Sequence, residues 1–214
     1  MPLSVISFAT YLTRAPWNND DHHALKFVKA VKAKPFRGWA QVPVLGRCKR
    51  LESANADDAI DWFGELAAAE IVRLHLRGPL VLVPLPNSSS TIRNKKKPRT
   101  ALLAEAIASK LKNTQVWDAL RWVREMIPTH QEGTRDPQEL YDNLAVTGVP
   151  PKGTIVLVDD VYTLGGHLQA AVARLTENKA RCSLAMCAGR TVLESQQDPF
   201  LVVRVEVEDF TPAR

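Results

Sequence analysis

The chain has 214 residues, 45% of them hydrophobic. This length suits one α/β domain with an added subdomain, or two small domains. The formal net charge of +5 suits polyanionic small molecules and permits nucleic acid binding, although a plain basic protein has the same balance. Cys48, Cys182 and Cys187 are too few and too scattered for a Cys₄ zinc site or a disulfide framework, which favours a reducing, cytoplasmic compartment. Residues 1–8 lack the features of a signal peptide, and no apolar run approaches membrane-spanning length, so we expect no membrane association.

The first part of the chain predicts a strand, a helix and an interrupted apolar segment. Residues 3–12 are rich in β-branched and aromatic residues and predict a strand. Asp20 or Asp21 is expected to cap a helix over residues 22–33. Residues 39–46 contain a proline, which favours an edge strand or a loop.

The next segment predicts a helix followed by a buried strand. Residues 57–76 place apolar side chains at helical spacing, and Gly78-Pro79 ends the pattern. Residues 80–86 form a short apolar run between breakers, which predicts a buried parallel strand. The run leads into small polar residues, Asn87 to Thr91, at the expected carboxyl edge of the sheet.

A basic run over residues 93–99 follows, and Thr100 is expected to cap a helix over residues 101–112. The run suits a solvated loop, a site for a polyanion or a nucleic acid contact, and the sequence leaves these open. Residues 115–127 predict a short strand and then a loop or helical turn. Residues 128–143 are polar throughout, which is typical of a lid, a binding loop or a flexible connection.

The strongest pattern in the chain spans residues 154–167. A β-branched run leads to two adjacent carboxylates, Asp159 and Asp160, and then to a loop of threonine and glycine before a helical pattern. Glycines at a helix N-terminus let backbone N–H groups reach an anion, usually a phosphate. An acid pair can hold sugar hydroxyls or a hydrated Mg²⁺. A phosphorylated sugar is the ligand that needs both parts.

Two further strands are expected, over residues 181–188 and 200–207, the second of them half-buried because its valines alternate with charged residues. Strands alternate with helices through the middle of the chain. The predicted fold is therefore α/β, with a parallel β-sheet flanked by helices.

Residues 154–167 resemble the phosphoribosyl-pyrophosphate (PRPP) binding motif of type I phosphoribosyltransferases. In that motif apolar residues and two acids precede a loop of Thr, Gly and a small hydroxyl residue. The matching residues are the acid pair and three loop positions: Asp159, Asp160, Thr163, Gly165 and Gly166. Leu164 stands where Thr or Gly is usual, and His167 stands where a hydroxyl residue is usual.

The resemblance implies roles for these residues. Asp159 and Asp160 would be the catalytic pair that holds the ribose hydroxyls, directly or through Mg²⁺ as cofactor. The 5′-phosphate would bind the loop formed by Thr163, Leu164, Gly165, Gly166 and His167. Leu164 keeps its backbone N–H. His167 offers a ring donor, or it marks a site that no longer binds PRPP, and both interpretations stay open.

Two other segments acquire roles from the same resemblance. The loop after the strand over residues 80–86 would bind pyrophosphate, together with the basic run that follows it. The residues concerned are Asn87, Ser88, Ser89, Lys95, Lys97 and Arg99. The polar segment would close over PRPP, with His130 and Arg135 as lid contacts, unless it is only a flexible connection.

Within the family the chain is most similar to ComF-like phosphoribosyltransferases, over roughly residues 60–190. It lacks the N-terminal zinc ribbon that those proteins often have. We expect residues 1–50 to form a hood together with the C-terminus, and residues 51–214 to form the α/β core with a C-terminal strand.

Three functions fit these observations. The first is transfer of phosphoribosyl from PRPP to an unidentified acceptor, with release of pyrophosphate. The second is a non-catalytic sensor of PRPP or a nucleotide that binds a protein or nucleic acid partner. The third is cleavage of a related phosphoribosyl compound. Neither the acceptor nor the oligomeric state follows from the sequence.

Overall fold

The computed structural model describes residues 2–76, 78–94, 96–127, 134 and 136–213. Its main sheet has, within these residues, seven strands in the order β11-β1-β10-β9-β5-β6, with β2 beside the end of β10. The strands are β1 (Leu3–Ser7), β2 (Thr10–Leu12), β5 (Leu80–Pro84), β6 (Thr114–Val116), β9 (Thr154–Tyr162), β10 (Cys182–Val192) and β11 (Val203–Val207). All pairings are parallel except that of β11 with β1. The predicted parallel sheet is confirmed.

Helices cover both faces of this sheet. They are α1 (Asn19–Val31), α2 (Asp58–Arg73), α3 (Arg99–Ala108), α4 (Pro137–Asp142) and α5 (Gly166–Glu177). Successive residues of a strand point to opposite faces. In β9, Val156 and Val158 accordingly join the core formed with α1, α2 and α3, whereas Ile155 and Leu157 join the core formed with α5. Burial on both faces explains the continuous apolar runs of β5 and β9.

Two small antiparallel sheets complete the described secondary structure. The hairpin of β3 (Ala40–Val44) and β4 (Arg47–Leu51) turns at Leu45 and Gly46, both with positive φ. The second sheet pairs β7 (Leu120–Trp122) with β8 (Leu144–Val146), which precede and follow the polar segment in the chain. β7 also approaches the loop after β5, through a bridge between Thr91 and Trp122.

Several predicted boundaries were wrong. The strand expected over residues 3–12 is divided into β1 and β2. Helix α1 begins three residues early because Asn18, and neither Asp20 nor Asp21, is the N-cap. Asp21 instead closes a capping box, since its carboxylate accepts from the Asn18 N–H at 3.0 Å.

The expected cap of α3 is a second correction. Thr100 lies inside the first turn of the helix, and Pro98 is the N-cap. The Thr100 hydroxyl donates to the Leu85 carbonyl and ties α3 to the end of β5. This hydroxyl therefore connects α3 to the sheet and does not cap α3.

The segments expected to form a hood lie in different places. β1 and β11 are strands of the main sheet, and the β3–β4 hairpin forms a sheet of its own. Among the described residues, β11 (Val203–Val207) pairs with β1 and forms an edge of the main sheet. Its more buried and more exposed side chains alternate, as expected for a strand with one face toward solvent. Across the described residues, no helix is both long and apolar enough to cross a membrane.

Candidate functional site

The two carboxylates of the acid pair lie inside β9, which continues to Tyr162 because β10 pairs with it that far. They were expected at the strand end. Asp159 lies opposite Cys187 of β10, on the face that packs against α5. Asp160 lies on the other face, and its N–H donates to Asp159 Oδ1 at 2.8 Å. The two carboxylates consequently have different surroundings.

Asp160 is ion-paired with Lys32, a residue that the sequence analysis did not single out. Lys32 Nζ lies 2.6 Å from Asp160 Oδ1, and the two side chains are only 21% and 27% exposed. Lys32 is the C-cap of α1. The pair joins chain positions 128 residues apart, so no local pattern indicates it.

Burial and charge shift the pKa values of this cluster. Burial raises the pKa of Asp159 to about 7, repulsion from Asp160 adds to the rise, and Lys32 opposes it. Burial alone would lower the pKa of Lys32, but the charge and hydrogen bond of Asp160 outweigh burial and raise it. Burial, with Asp159 and Asp160 nearby, also raises the pKa of Cys187, so its thiol is not a nucleophile at neutral pH.

The loop after β9 forms an open helix N-terminus. Gly165 is the N-cap of α5 with φ of 88°, and no side chain caps the helix. Unpaired N–H groups at such an end, with the helix dipole, attract anions. Thr163 shares a hydrogen bond with Thr191 at 3.1 Å. The Leu164 side chain is 66% exposed.

Trp122 is a second residue that the sequence analysis missed. Its side chain is 2% exposed, and among the described residues its buried indole Nε1 has no hydrogen-bond acceptor. The ring contacts His167 edge-to-face, with centroids 5.9 Å apart. Trp122 therefore forms part of the cavity wall beside the start of α5.

The loop after β5 is held by its own side chains. Asn87 Oδ1 accepts from the Ser90 hydroxyl at 2.7 Å and from the Ser89 hydroxyl at 3.2 Å. The Ser88 carbonyl accepts from the Met126 N–H at 3.0 Å. Because β5 and β9 are parallel neighbours, this loop and the acid pair lie at the same edge of the sheet, as expected.

Two cations of the basic run, Lys97 and Arg99, are engaged in structural contacts. Arg99 donates to the carbonyls of Ala30, at 3.1 Å, and Val31 at the end of α1. Lys97 is paired with Glu105. Lys95 lies outside the described residues, as do the two expected lid contacts, His130 and Arg135.

One cavity of about 530 Å³ brings these elements together. The predicted residues that line it come from the acid pair, the loop before α5, the loop after β5 and the start of α3: Asp159, Asp160, Thr163, Leu164, Gly165, Gly166, His167, Asn87, Ser88 and Arg99. Ser89 and Lys97 are not among its lining residues. Lys32, Lys34 and Trp122 line it and were not predicted. The described part of the polar segment contributes Thr134 and Leu140.

The cavity therefore offers three kinds of contact along its length. Its wall has N–H donors at a helix start, the two carboxylates with Lys32, and an amide and hydroxyl loop. In the described ranges, no group of three or more His, Cys, Asp or Glu residues could hold a metal ion.

The chain is similar in structure to three phosphoribosyltransferases. Hypoxanthine phosphoribosyltransferase from Staphylococcus aureus has a TM-score of 0.40 and 9% identity, over 63% of this chain and 73% of that one. Orotate phosphoribosyltransferase from Aeropyrum pernix has a TM-score of 0.38 and 19% identity, over 77% of this chain and 81% of that one. Adenine phosphoribosyl transferase from Trypanosoma brucei has a TM-score of 0.41 and 12% identity, over 87% of this chain and 86% of that one. No family model and no curated protein matches the sequence.

Proposed function

We propose that this protein binds PRPP and transfers its phosphoribosyl group to an acceptor, with release of pyrophosphate. The observation that supports this is the single cavity in which the motif of residues 154–167 meets the loop after β5. The acid pair, the glycine loop and the hydroxyl loop come from segments about 70 residues apart in the chain, yet they line one space of a size that suits a sugar phosphate.

Each part of PRPP has a counterpart in this cavity. The 5′-phosphate binds at the N-terminus of α5, where backbone N–H groups and the His167 ring are donors. The ribose hydroxyls donate to the carboxylates of Asp159 and Asp160. The pyrophosphate lies against Asn87 and Ser88, with the charge of Lys34 nearby. Leu164 lacks the hydroxyl that a threonine would offer at this position, but its backbone N–H remains as a donor.

The residues present can promote the transfer in three ways. They hold the ribose in position for attack at the anomeric carbon. The C–O bond to pyrophosphate then breaks and the leaving group takes the electron pair, while the carboxylates stabilise the positive charge that develops on the ring. Asp159, with a pKa of about 7, can accept the proton that the acceptor loses.

Mg²⁺ is the cofactor that the resemblance implies, but the residues of the acid pair do not fit it. Asp160 Oδ1 already has the Lys32 ammonium at 2.6 Å. Asp159 Oδ1 accepts a backbone N–H at 2.8 Å. Mg²⁺ requires near-octahedral oxygen ligands and normally uses one or two free carboxylates beside substrate phosphates. The steps above consequently depend on side chains and backbone alone.

Calorimetric titration of PRPP tests the proposal. We expect wild type to bind, and Asp159→Asn to bind at least about tenfold more weakly because a charged acceptor for a ribose hydroxyl is lost. Asp57→Asn, at an exposed position that does not line the cavity, is the matched control.

Three outcomes separate the candidate functions. Absence of PRPP binding to the folded wild type would refute the proposal. Binding with pyrophosphate release in the presence of a panel of bases and amines would identify the transferase and its acceptor class. Binding without release across that panel would favour the sensor.

A further inference from the structure

The Lys32–Asp160 ion pair forms part of the cavity wall. Lysine side chains normally keep their ammonium group in water. Here the lysine side chain is about four-fifths covered, and its ammonium lies 2.6 Å from the carboxylate of an aspartate side chain that is itself largely covered. Charges buried in this way need a close partner of opposite sign, and Lys32 and Asp160 are such partners for each other.

The position of Lys32 is fixed from two directions. Its N–H donates to the Val28 carbonyl at 3.0 Å, as the last turn of α1 requires. Arg99 of α3 donates to the carbonyls of the preceding two residues, Ala30 and Val31. A helix C-terminus carries partial negative charge, which both cations stabilise. Arg99 therefore holds the helix end that places Lys32 on Asp160.

This arrangement leaves little room for a divalent cation at the acid pair. Lys32 takes one oxygen of Asp160, and a backbone N–H takes one oxygen of Asp159. A second cation bound between the carboxylates would also be repelled by the Lys32 ammonium at short range. The pair thus has a resident cation supplied by the chain itself.

We propose that Lys32 is the counter-cation of the ribose site: it orients Asp160 toward the sugar hydroxyls and excludes a divalent metal ion from the acid pair, so that the phosphoribosyl ligand binds without a metal bridge to these carboxylates. The identity of the ligand rests on the function proposed above. The exclusion of metal concerns the protein alone. Lys32 is a positioning residue that acts through Asp160.

The first test measures Mn²⁺ binding to the ligand-free protein by electron paramagnetic resonance. We expect no Mn²⁺ site in wild type that depends on Asp160. Lys32→Met should bind Mn²⁺ at least about tenfold more tightly than wild type, since the oxygen and its charge become free. Lys32→Arg and Lys34→Met should behave as wild type; Lys34 lines the cavity and has no ion pair within the part of the chain that the structure describes. A purely structural lysine would not alter metal affinity.

The outcome that overturns the proposal is Mn²⁺ binding to wild type that Asp160→Asn abolishes. That comparison needs no Lys32 variant, so it decides the question even if Lys32→Met does not fold. Equal Mn²⁺ affinity of folded Lys32→Met and wild type also overturns it. Adding Asp160→Asn to Lys32→Met removes the unpaired carboxylate, and it should remove the gained Mn²⁺ site.

The second test repeats the PRPP titration in EDTA and in excess Mg²⁺. We expect wild-type affinity in EDTA to lie within about threefold of that in Mg²⁺, and Lys32→Met to lose about tenfold or more in EDTA. Wild-type binding that disappears in EDTA contradicts the proposal. No PRPP binding under either condition refutes the proposed function instead, and the Mn²⁺ experiment then still decides whether Lys32 excludes metal.

Discussion

At the scale of single residues, neighbouring carboxylates differ because a strand directs them to opposite faces. Asp160 meets Lys32 on the side of α1, whereas Asp159 lies beside Cys187 on the side of α5. One carboxylate is therefore held as an ion pair, and the other has a pKa raised to about 7 by burial and by its neighbour's charge. Their different surroundings suit the two carboxylates to different roles in the cavity.

Asp159 should make the stability of the fold depend on pH. Its pKa is about 7 in the native state and 3.8 in the unfolded state, so the native state binds the extra proton between these values. Unfolding free energy should accordingly fall as the pH rises from about 4 to about 7. Asp159→Asn cannot ionise and keeps the amide oxygen that accepts the Asp160 N–H. We expect it to be more stable than wild type by about 1–3 kcal/mol at pH 8 and nearly equal at pH 4.

Urea unfolding of both proteins at pH 4 and pH 8 measures this difference, with Asp57→Asn as the control that should show no such change. Lys32, Asp160 and Cys187 are the titratable groups that act on Asp159 and are unchanged in the variant. A variant that is less stable than wild type by the same amount at both pH values would contradict the assignment.

At the scale of elements, the loop before α5 depends on the conformation of Gly165. Its φ of 88° lies in the left-handed region, and this turn lets the chain leave β9 and begin α5 at once. A Cβ at this position would lie 3.1 Å from Val207 Cγ1 and 3.4 Å from Tyr162 Cε2. The edge strand β11, the last described strand of the chain, therefore packs directly against the loop before α5.

Gly165→Ala should therefore harm both stability and binding. We expect a loss of about 1–2 kcal/mol from the left-handed backbone, and more where Val207 must shift. Gly46→Ala is a close control, because Gly46 has a φ of 78° and nothing within 4 Å of a built Cβ. Urea unfolding should show the larger loss for Gly165→Ala, and titration with ribose 5-phosphate should show weaker binding for that variant alone. Equal losses in both assays would exclude the proposed packing role of Val207.

At the scale of the whole molecule, the net charge of +5 is less available to a polyanion than the sequence suggests. Two cations of the basic run have internal partners, Lys97 with Glu105 and Arg99 with the end of α1. Lys96 is exposed. The charge is therefore distributed over structural contacts and the cavity, and this favours a small anionic ligand over an extended nucleic acid surface.

This distribution predicts weak nucleic acid binding. We expect a single-stranded oligonucleotide to bind only weakly at about 0.15 M salt, and Lys96→Ala/Lys97→Ala to change its affinity by less than about threefold. Lys179→Ala/Arg181→Ala removes the same charge from another exposed site and serves as the control. Fluorescence anisotropy at several salt concentrations measures both. Tight binding whose salt dependence falls only in the Lys96/Lys97 variant would support the regulatory hypothesis.

The sequence by itself determined the order of strand, acid pair, glycine loop and helix at residues 154–167, and the buried strand that precedes Asn87. These features are local, because apolar periodicity and the backbone freedom of glycine act within a few residues. Element boundaries were less predictable, since Thr100 and Asn18 use side-chain hydrogen bonds that composition does not reveal. Hydroxyl and amide groups have several partners within reach, and packing selects among them.

Only the tertiary structure decided what surrounds the acid pair. Lys32, from a helix 128 residues earlier, supplies the cation, and Trp122 of β7 packs its ring against His167 at the start of α5. Arg99 was predicted to bind pyrophosphate; it lines the cavity and also donates to the end of α1. The physical reason is common to all three: a charge or a donor acquires its role from the partner that long-range packing places beside it, and chain distance carries no information about that partner.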